Sequence, residues 1–228
     1  MIVIKNDSFR RALKLILPPV FALFVIATAF YINTERSAIY ASLVISVLAL
    51  IFFVAGYEKK KTGTRRMIIS VVMITLSVAG RFLPIFKPVT ALTVISAIYL
   101  GPEAGFLVGS MSALISGIWF TIGPWTPFQM LAWGMIGLIS GLLSKRLKSS
   151  YPFLLVWGVL TGIIFSLIMD VWNTLWVSGS FDLTYYAASI KSAAGFTLLY
   201  ALSNLLFLIL LAKPIGKKLE RMKIKYGI

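Results

Sequence analysis

Apolar runs of thirteen to twenty-six residues, parted by short charged gaps, organise this chain of 228 residues. A hydrocarbon core of about 30 Å calls for roughly 20 apolar residues per helix. Eight segments fit or approach that length: 15–33, 37–57, 67–85, 88–100, 104–122, 127–144, 152–177 and 190–212. The pattern predicts an all-α integral membrane protein with no room for a soluble domain. Segment 88–100 is short, opening after Pro88 and stopping at Gly101-Pro102, yet the charge pattern requires it to cross.

Lys and Arg are retained on the cytoplasmic side of short loops. With an inner N-terminus, the inner gaps hold Lys5, Arg10, Arg11 and Lys14, then Lys59, Lys60, Lys61, Arg65 and Arg66, then Lys145, Arg146 and Lys148, and finally Lys213, Lys217, Lys218, Arg221, Lys223 and Lys225. These are 18 of 22 basic residues, against Arg36, Arg81, Lys87 and Lys191 outside. Removing any one crossing destroys the bias, so both termini are expected to be cytoplasmic. Ala27-Thr28-Ala29 imitates a signal-peptide cleavage site, but the apolar run continues to Ile32, which favours an uncleaved first helix.

Composition narrows the function. Hydrophobic residues make up 59% of the chain and charged residues 13%, and the mean hydropathy is +0.94. The net charge of +15 reads as orientation plus attraction to anionic lipid. Nucleic-acid binding is disfavoured, because the basic clusters lie in separate loops without interleaved aromatics. Cys and His are both absent, which removes thiolate, disulfide and imidazole chemistry. A membrane enzyme would need a Ser-His, paired acidic or metal-ligand constellation, and none is present. A stand-alone secondary transporter would need ion sites near the midplane, whereas the polar groups here gather toward one face.

Three regions follow. Residues 1–66 form an N-terminal addition of two helices and a basic loop, Glu58 to Arg66; residues 67–212 form a six-helix core; residues 213–228 form a basic cytoplasmic tail. In the core, Gly101, Gly105, Gly109, Ala113 and Gly117 recur every four residues, and Gly134, Gly137 and Gly141 repeat the device. Such stripes let helix backbones approach closely, either within the subunit or against a partner. Asn204 with Ser203 reads as an interhelical hydrogen-bonding pair, and Glu103 as a carboxylate favoured by a helix N-terminus.

Candidate ligand chemistry lies toward the outer end. Arg81 and Asp170 are the guanidinium and carboxylate inside apolar stretches, about 21 and 27 Å above the inner ends of their helices, so they could meet as a salt bridge or as ligand groups. The stiff loop Gly123-Pro124-Trp125-Thr126-Pro127 leads to Gln129 and Trp133, which share a helical face. Asp170, Trp172, Asn173 and Trp176 cluster on another helix. With Lys87 and Tyr185 they complete the candidate set. Intramembrane ionisable groups usually face a protein interior or a wet cavity, and indoles beside amides suit an amphipathic ligand.

Gly80-Arg81, Pro88-Val89-Thr90-Ala91, Leu100-Gly101-Pro102-Glu103-Ala104-Gly105 and above all Gly123-Pro124-Trp125-Thr126-Pro127-Phe128-Gln129-Met130-Leu131-Ala132-Trp133-Gly134 resemble the substrate-binding S components of energy-coupling factor (ECF) vitamin transporters. The resemblance covers 67–212 and is nearest the cobalamin type. It implies a six-helix S-component core preceded by two extra helices. It also implies a vitamin pocket near the outer face, no catalysis and no cofactor, with cobalamin as the transported substrate and riboflavin, folate or queuosine-type ligands as alternatives. The implied partners are a transmembrane coupling protein and two ATPase subunits, toward which the S component topples. The absence of a GxxxxGK[ST] loop fits that division of labour. Shape and side-chain amides would hold the corrin, so cobinamide should bind as well. The family docks through Ala-x-x-x-Ala on its first core helix; this chain offers Ser70 and Ser77 there, and Gly105, Gly109 and Ala113 as a further candidate partner surface.

Overall fold

The computed structural model describes residues 6–31, 35–55 and 63–226. Lys5, Lys59, Lys60 and Lys61, with the first part of the expected Glu58 to Arg66 loop, lie outside the described residues. Nine helices and no strand occur among those described: α1 (Asp7–Tyr31), α2 (Glu35–Ala55), α3 (Gly63–Gly80), α4 (Val89–Leu100), α5 (Pro102–Phe120), α6 (Thr126–Leu142), α7 (Ser144–Ser149), α8 (Tyr151–Ser178) and α9 (Leu183–Tyr226). Among the described residues, four helical stretches are long and apolar enough to cross a membrane: Asp7–Thr28, Pro102–Phe120, Tyr151–Ser178 and Leu183–Lys225. Ile39–Ala55 and Val89–Leu100 are apolar but shorter. The molecule is an all-α, multi-pass membrane protein.

Local chemistry sets the helix ends. Asn6 accepts hydrogen bonds from the backbone N–H groups of Ser8 and Phe9 at 3.0 and 3.1 Å, which caps α1. Ser150 does the same for Phe153 at 3.3 Å. Gly101, at φ +97°, turns the chain sharply between α4 and α5, and Pro102 then opens α5, where its missing N–H costs nothing. Thr121, at φ +71°, ends α5 in a conformation that L side chains seldom adopt.

Helix α4 is the hub. Its 12 residues extend only about 18 Å, too short to match a bilayer alone. All but Tyr99 are buried, against α3, α5, α6 and α9, so protein rather than lipid surrounds it. The N-terminal pair packs on α5 and α6 and shares one hydrophobic core with the other helices. The Phe21 and Phe52 rings meet Phe106 edge-on at 4.7 and 5.2 Å. Glu103, expected mainly to favour the α5 dipole, also binds Lys14 of α1 at 2.7 Å and Arg66 of α3 at 3.2 Å, tying three helices together at one end.

The small-residue stripe is consumed inside the subunit. A Cβ on Gly105 would sit 2.8 Å from the Gly137 carbonyl oxygen, and one on Gly109 would run into that of Trp133. Ala113 is fully buried. Gly105, Gly109 and Ala113 are therefore not free for a partner. Ser70 and Ser77 are likewise fully buried, Ser70 donating to the Arg66 carbonyl at 2.9 Å. The outward face of α3 instead presents Ile68, Val71, Val72 and Leu76.

Two expectations for the second half change. Residues 144–149 form the short helix α7 rather than a plain loop. The tail from Lys213 continues α9 as helix through Pro214 to Tyr226. Good helix formers follow Gly216, from Lys217 to Met222, and Ala212, Ile215, Leu219 and Met222 lie along one face against the core.

Candidate functional site

A cavity of about 340 Å³ lies between the segment linking α3 to α4 and helices α4, α6, α8 and α9. Aromatic groups form its inner wall. The Trp133 indole stacks on Phe165 at 4.8 Å and 16°, and Phe165 meets Tyr200 edge-on at 5.1 Å. Trp133 is fixed in plane because its Nε1–H donates to Thr90 Oγ1 at 3.1 Å. Ile85, Phe196 and Leu199 continue the apolar lining, and Asn204 lies on it as well. Asn204 donates to the Gly158 carbonyl at 3.1 Å, so it joins α9 to α8.

Arg81 and Lys87 give the cavity its charge. The Arg81 guanidinium donates to Ser116 Oγ and lies 5.0 Å from the Phe120 ring and 5.4 Å from the Trp133 ring. The Lys87 ammonium sits 5.4 Å from the same Phe120 ring. No carboxylate is among the lining residues. Burial pushes the Lys87 ammonium below the ordinary lysine range, and nearby Arg81 adds to the effect. Ser203 fixes the position of this segment: its Oγ accepts from the Lys87 N–H and donates to the Lys87 carbonyl, both at 2.8 Å. Gln129 also reaches the lining, one turn above Trp133. Rings with an electropositive edge suit a planar ligand rich in carbonyl or other acceptor atoms.

The structure thus brings Arg81, Lys87, Gln129 and Trp133 together. The rest of the expected set lies elsewhere. Trp125 meets Trp172 edge-on at 6.0 Å, and Trp172 stacks on Trp176 at 6.1 Å, outside the cavity lining. Tyr185 is exposed in the first turns of α9. Asp170 does not pair with Arg81. Its Oδ1 accepts from Ser189 Oγ at 2.7 Å, and the same Ser189 oxygen accepts from Asn173 at 3.1 Å. Asp170 and Asn173 do share a face, but it is the face turned to α9.

Sequence reasoning missed Phe165, Tyr200, Phe196 and Leu199, which sit in apolar runs where an aromatic or leucine reads as core or lipid surface. Thr90 had a signal: it lies beside Pro88 at the start of a helix, and a hydroxyl there is placed to meet a neighbouring indole. Ser203 and Asn204 were visible as polar groups, although their place beside the cavity was not.

No curated protein and no solved structure matches this chain. The family model described as ECF-type riboflavin transporter, S component, matches residues 66–221. That range begins just inside α3 and ends within α9, leaving α1 and α2 outside it. With well over half of its residues matched, including every residue that lines the cavity, the chain belongs to the family of ECF-type riboflavin transporter S components.

Proposed function

We propose that this chain is the substrate-binding subunit of an ATP-dependent vitamin importer and that the cavity beside Trp133 holds riboflavin. The observation that carries the reading is the cavity itself, about 340 Å³, walled by stacked rings and edged by Arg81 and Lys87 without a carboxylate. Sites for drug-sized ligands run from about 300 to 1,000 Å³, so this one fits a tricyclic flavin with a short polyol chain. Cobalamin, with roughly three times as many non-hydrogen atoms, would need a site near the upper end of that range. The flavin ring lies against Trp133 and Phe165, and its carbonyl edge meets Arg81, Lys87 and the Gln129 amide. Transport then requires a membrane coupling protein and two ATPase subunits, because this chain offers no phosphate-binding loop. The N- and C-termini face the cytoplasm, and substrate enters from the other side.

Titration of purified full-length protein tests the assignment. Riboflavin fluorescence should be quenched saturably by the stacked indole, and excess cobalamin or cobinamide should not reverse it. Tight cobalamin binding with no saturable riboflavin quench would overturn the substrate. Riboflavin uptake by vesicles containing only this chain would overturn the dependence on partner subunits.

A further inference from the structure

At the end of the bundle opposite the cavity's charged edge, α7 carries Lys145, Arg146 and Lys148, and α9 beyond Ala212 carries six more basic residues against one carboxylate, Glu220. The core forces these elements together, since Leu147 and Leu219 are buried in the same cluster. Two of the cations are held in place. The Lys148 ammonium sits 4.6 Å from the centre of the Tyr99 ring, and the Lys213 ammonium 4.6 Å from that of Tyr151. Gly216 holds Tyr99 in turn, because even a Cβ there would strike the Tyr99 hydroxyl. Lys148 is also crowded by a like charge. Burial lowers its proton affinity, Lys223 lowers it further, and Glu220 alone opposes them.

Two ring-held ammonium groups, one of them crowded by Lys223, attract anions, and the apolar surface of α9 identifies their source. Along α9, Leu206, Leu210, Lys213 and Lys217 follow at spacings of four, three and four, so one helical face changes from leucine to lysine at residue 213. Leu206 and Leu210 are exposed, as a lipid-facing stripe requires. A soluble anion or an acidic peptide would match the lysines and leave that apolar continuation unused. We propose that Lys148 and Lys213 bind headgroup phosphates of acidic phospholipids, whose acyl chains lie along the Leu206–Leu210 face. The tyrosine rings orient the ammonium groups at membrane level, and the other basic residues of α9 supply the surrounding field.

Native mass spectrometry of the full-length protein, with phosphatidylglycerol or phosphatidylcholine of equal chain length, tests this. The wild type should prefer phosphatidylglycerol by about tenfold. Lys148→Gln/Lys213→Gln should lose most of that preference. Arg11→Gln/Lys191→Gln, which removes the same charge elsewhere, should keep it. No preference in the wild type, an unchanged preference in the first variant, or equal loss in both variants would overturn the proposal. Acetylation footprinting of the wild type decides the matter even if the first variant fails to fold: phosphatidylglycerol, and not phosphatidylcholine, should protect Lys148 and Lys213 while leaving Lys191 reactive, and equal reactivity under both lipids would overturn it. A variant that binds phosphatidylglycerol normally but no longer assembles with the ATPase module would make the patch a protein-docking surface and refute the lipid assignment.

Discussion

Replacing Arg81 with Gln isolates the charged edge of the cavity. The guanidinium touches Ser116 and two aromatic rings, and no carboxylate lies beside it on the lining. Ser116 Oγ already lies against the Ser112 and Ala113 carbonyls, at 2.5 and 3.1 Å, so losing Arg81 strands no buried hydroxyl. The remaining structural loss is contact with the rings, about 1 kcal/mol. Binding should suffer more, because a hydrogen bond from a charged donor to a ligand carbonyl contributes about 1.5–3 kcal/mol. At 1.4 kcal/mol per decade, that is roughly a 10- to 150-fold weaker Kd for riboflavin. Fluorescence titration gives the affinity, and thermal unfolding in the same detergent gives the stability. Arg81→Lys should recover only part of the affinity, since an ammonium lacks the planar fork. A variant that binds riboflavin like the wild type but unfolds earlier would assign Arg81 to structure alone and refute the reasoning.

Three further outcomes are expected. Gly109→Ala should lower stability by about 1–3 kcal/mol, because the new methyl meets the Trp133 backbone and α5 must move from α6; Gly195→Ala, with nothing within 4 Å of its Cβ, should be neutral or slightly stabilising, and paired thermal melts check both. Ser203→Ala removes both hydrogen bonds to the Lys87 backbone and should accelerate riboflavin dissociation in stopped-flow measurements more than it slows association. Burial, and then Arg81, make Lys87 release its proton at lower pH than an ordinary lysine does; riboflavin affinity should therefore fall as pH rises through that lowered range, and Arg81→Gln should move the fall to higher pH, as titrations at increasing pH would show.

The apolar periodicity made the helices legible because lipid imposes one requirement on every span. Helix ends were legible at Pro88 and at Gly101-Pro102, but α3, expected to run through residue 85, ends at Gly80, and Pro18, Pro19 and Pro214 lie inside helices. Gln129 and Trp133 could be paired because four residues of helix set their common face. Across helices that logic ends: Arg81 and Asp170 stand at comparable heights, but height does not fix rotation about the helix axis, and Asp170 turns to Ser189 of α9. The glycine stripe was legible as a contact surface, while its partner, α6 of the same subunit, was set by which helix the Gly123 to Trp125 turn folds back. The continuation of α9 past Pro214 was obscured because the basic residues there resemble a solvated tail, and only packing of Leu219 and Met222 on the core reveals the helix.

The missing Arg81–Asp170 pair bears directly on binding. A guanidinium already paired with a carboxylate would have to exchange that partner for a ligand carbonyl, and the ligand would gain little from the exchange. Here the carboxylate is held on the α8–α9 seam by Ser189, and the guanidinium is held by rings and by a hydroxyl that has carbonyl neighbours of its own. Rings and a hydroxyl steady a cation less strongly than a carboxylate does, so Arg81 retains most of its attraction for an incoming acceptor. Lys87 adds a second positive charge, whose proton affinity burial lowers and Arg81 lowers further, and a ligand that brings electron-rich oxygens to the two would relieve their repulsion. The separation of Asp170 from Arg81 thus leaves the cavity with a positive field that no carboxylate on its lining cancels, which is the field the proposed flavin's carbonyl edge would meet.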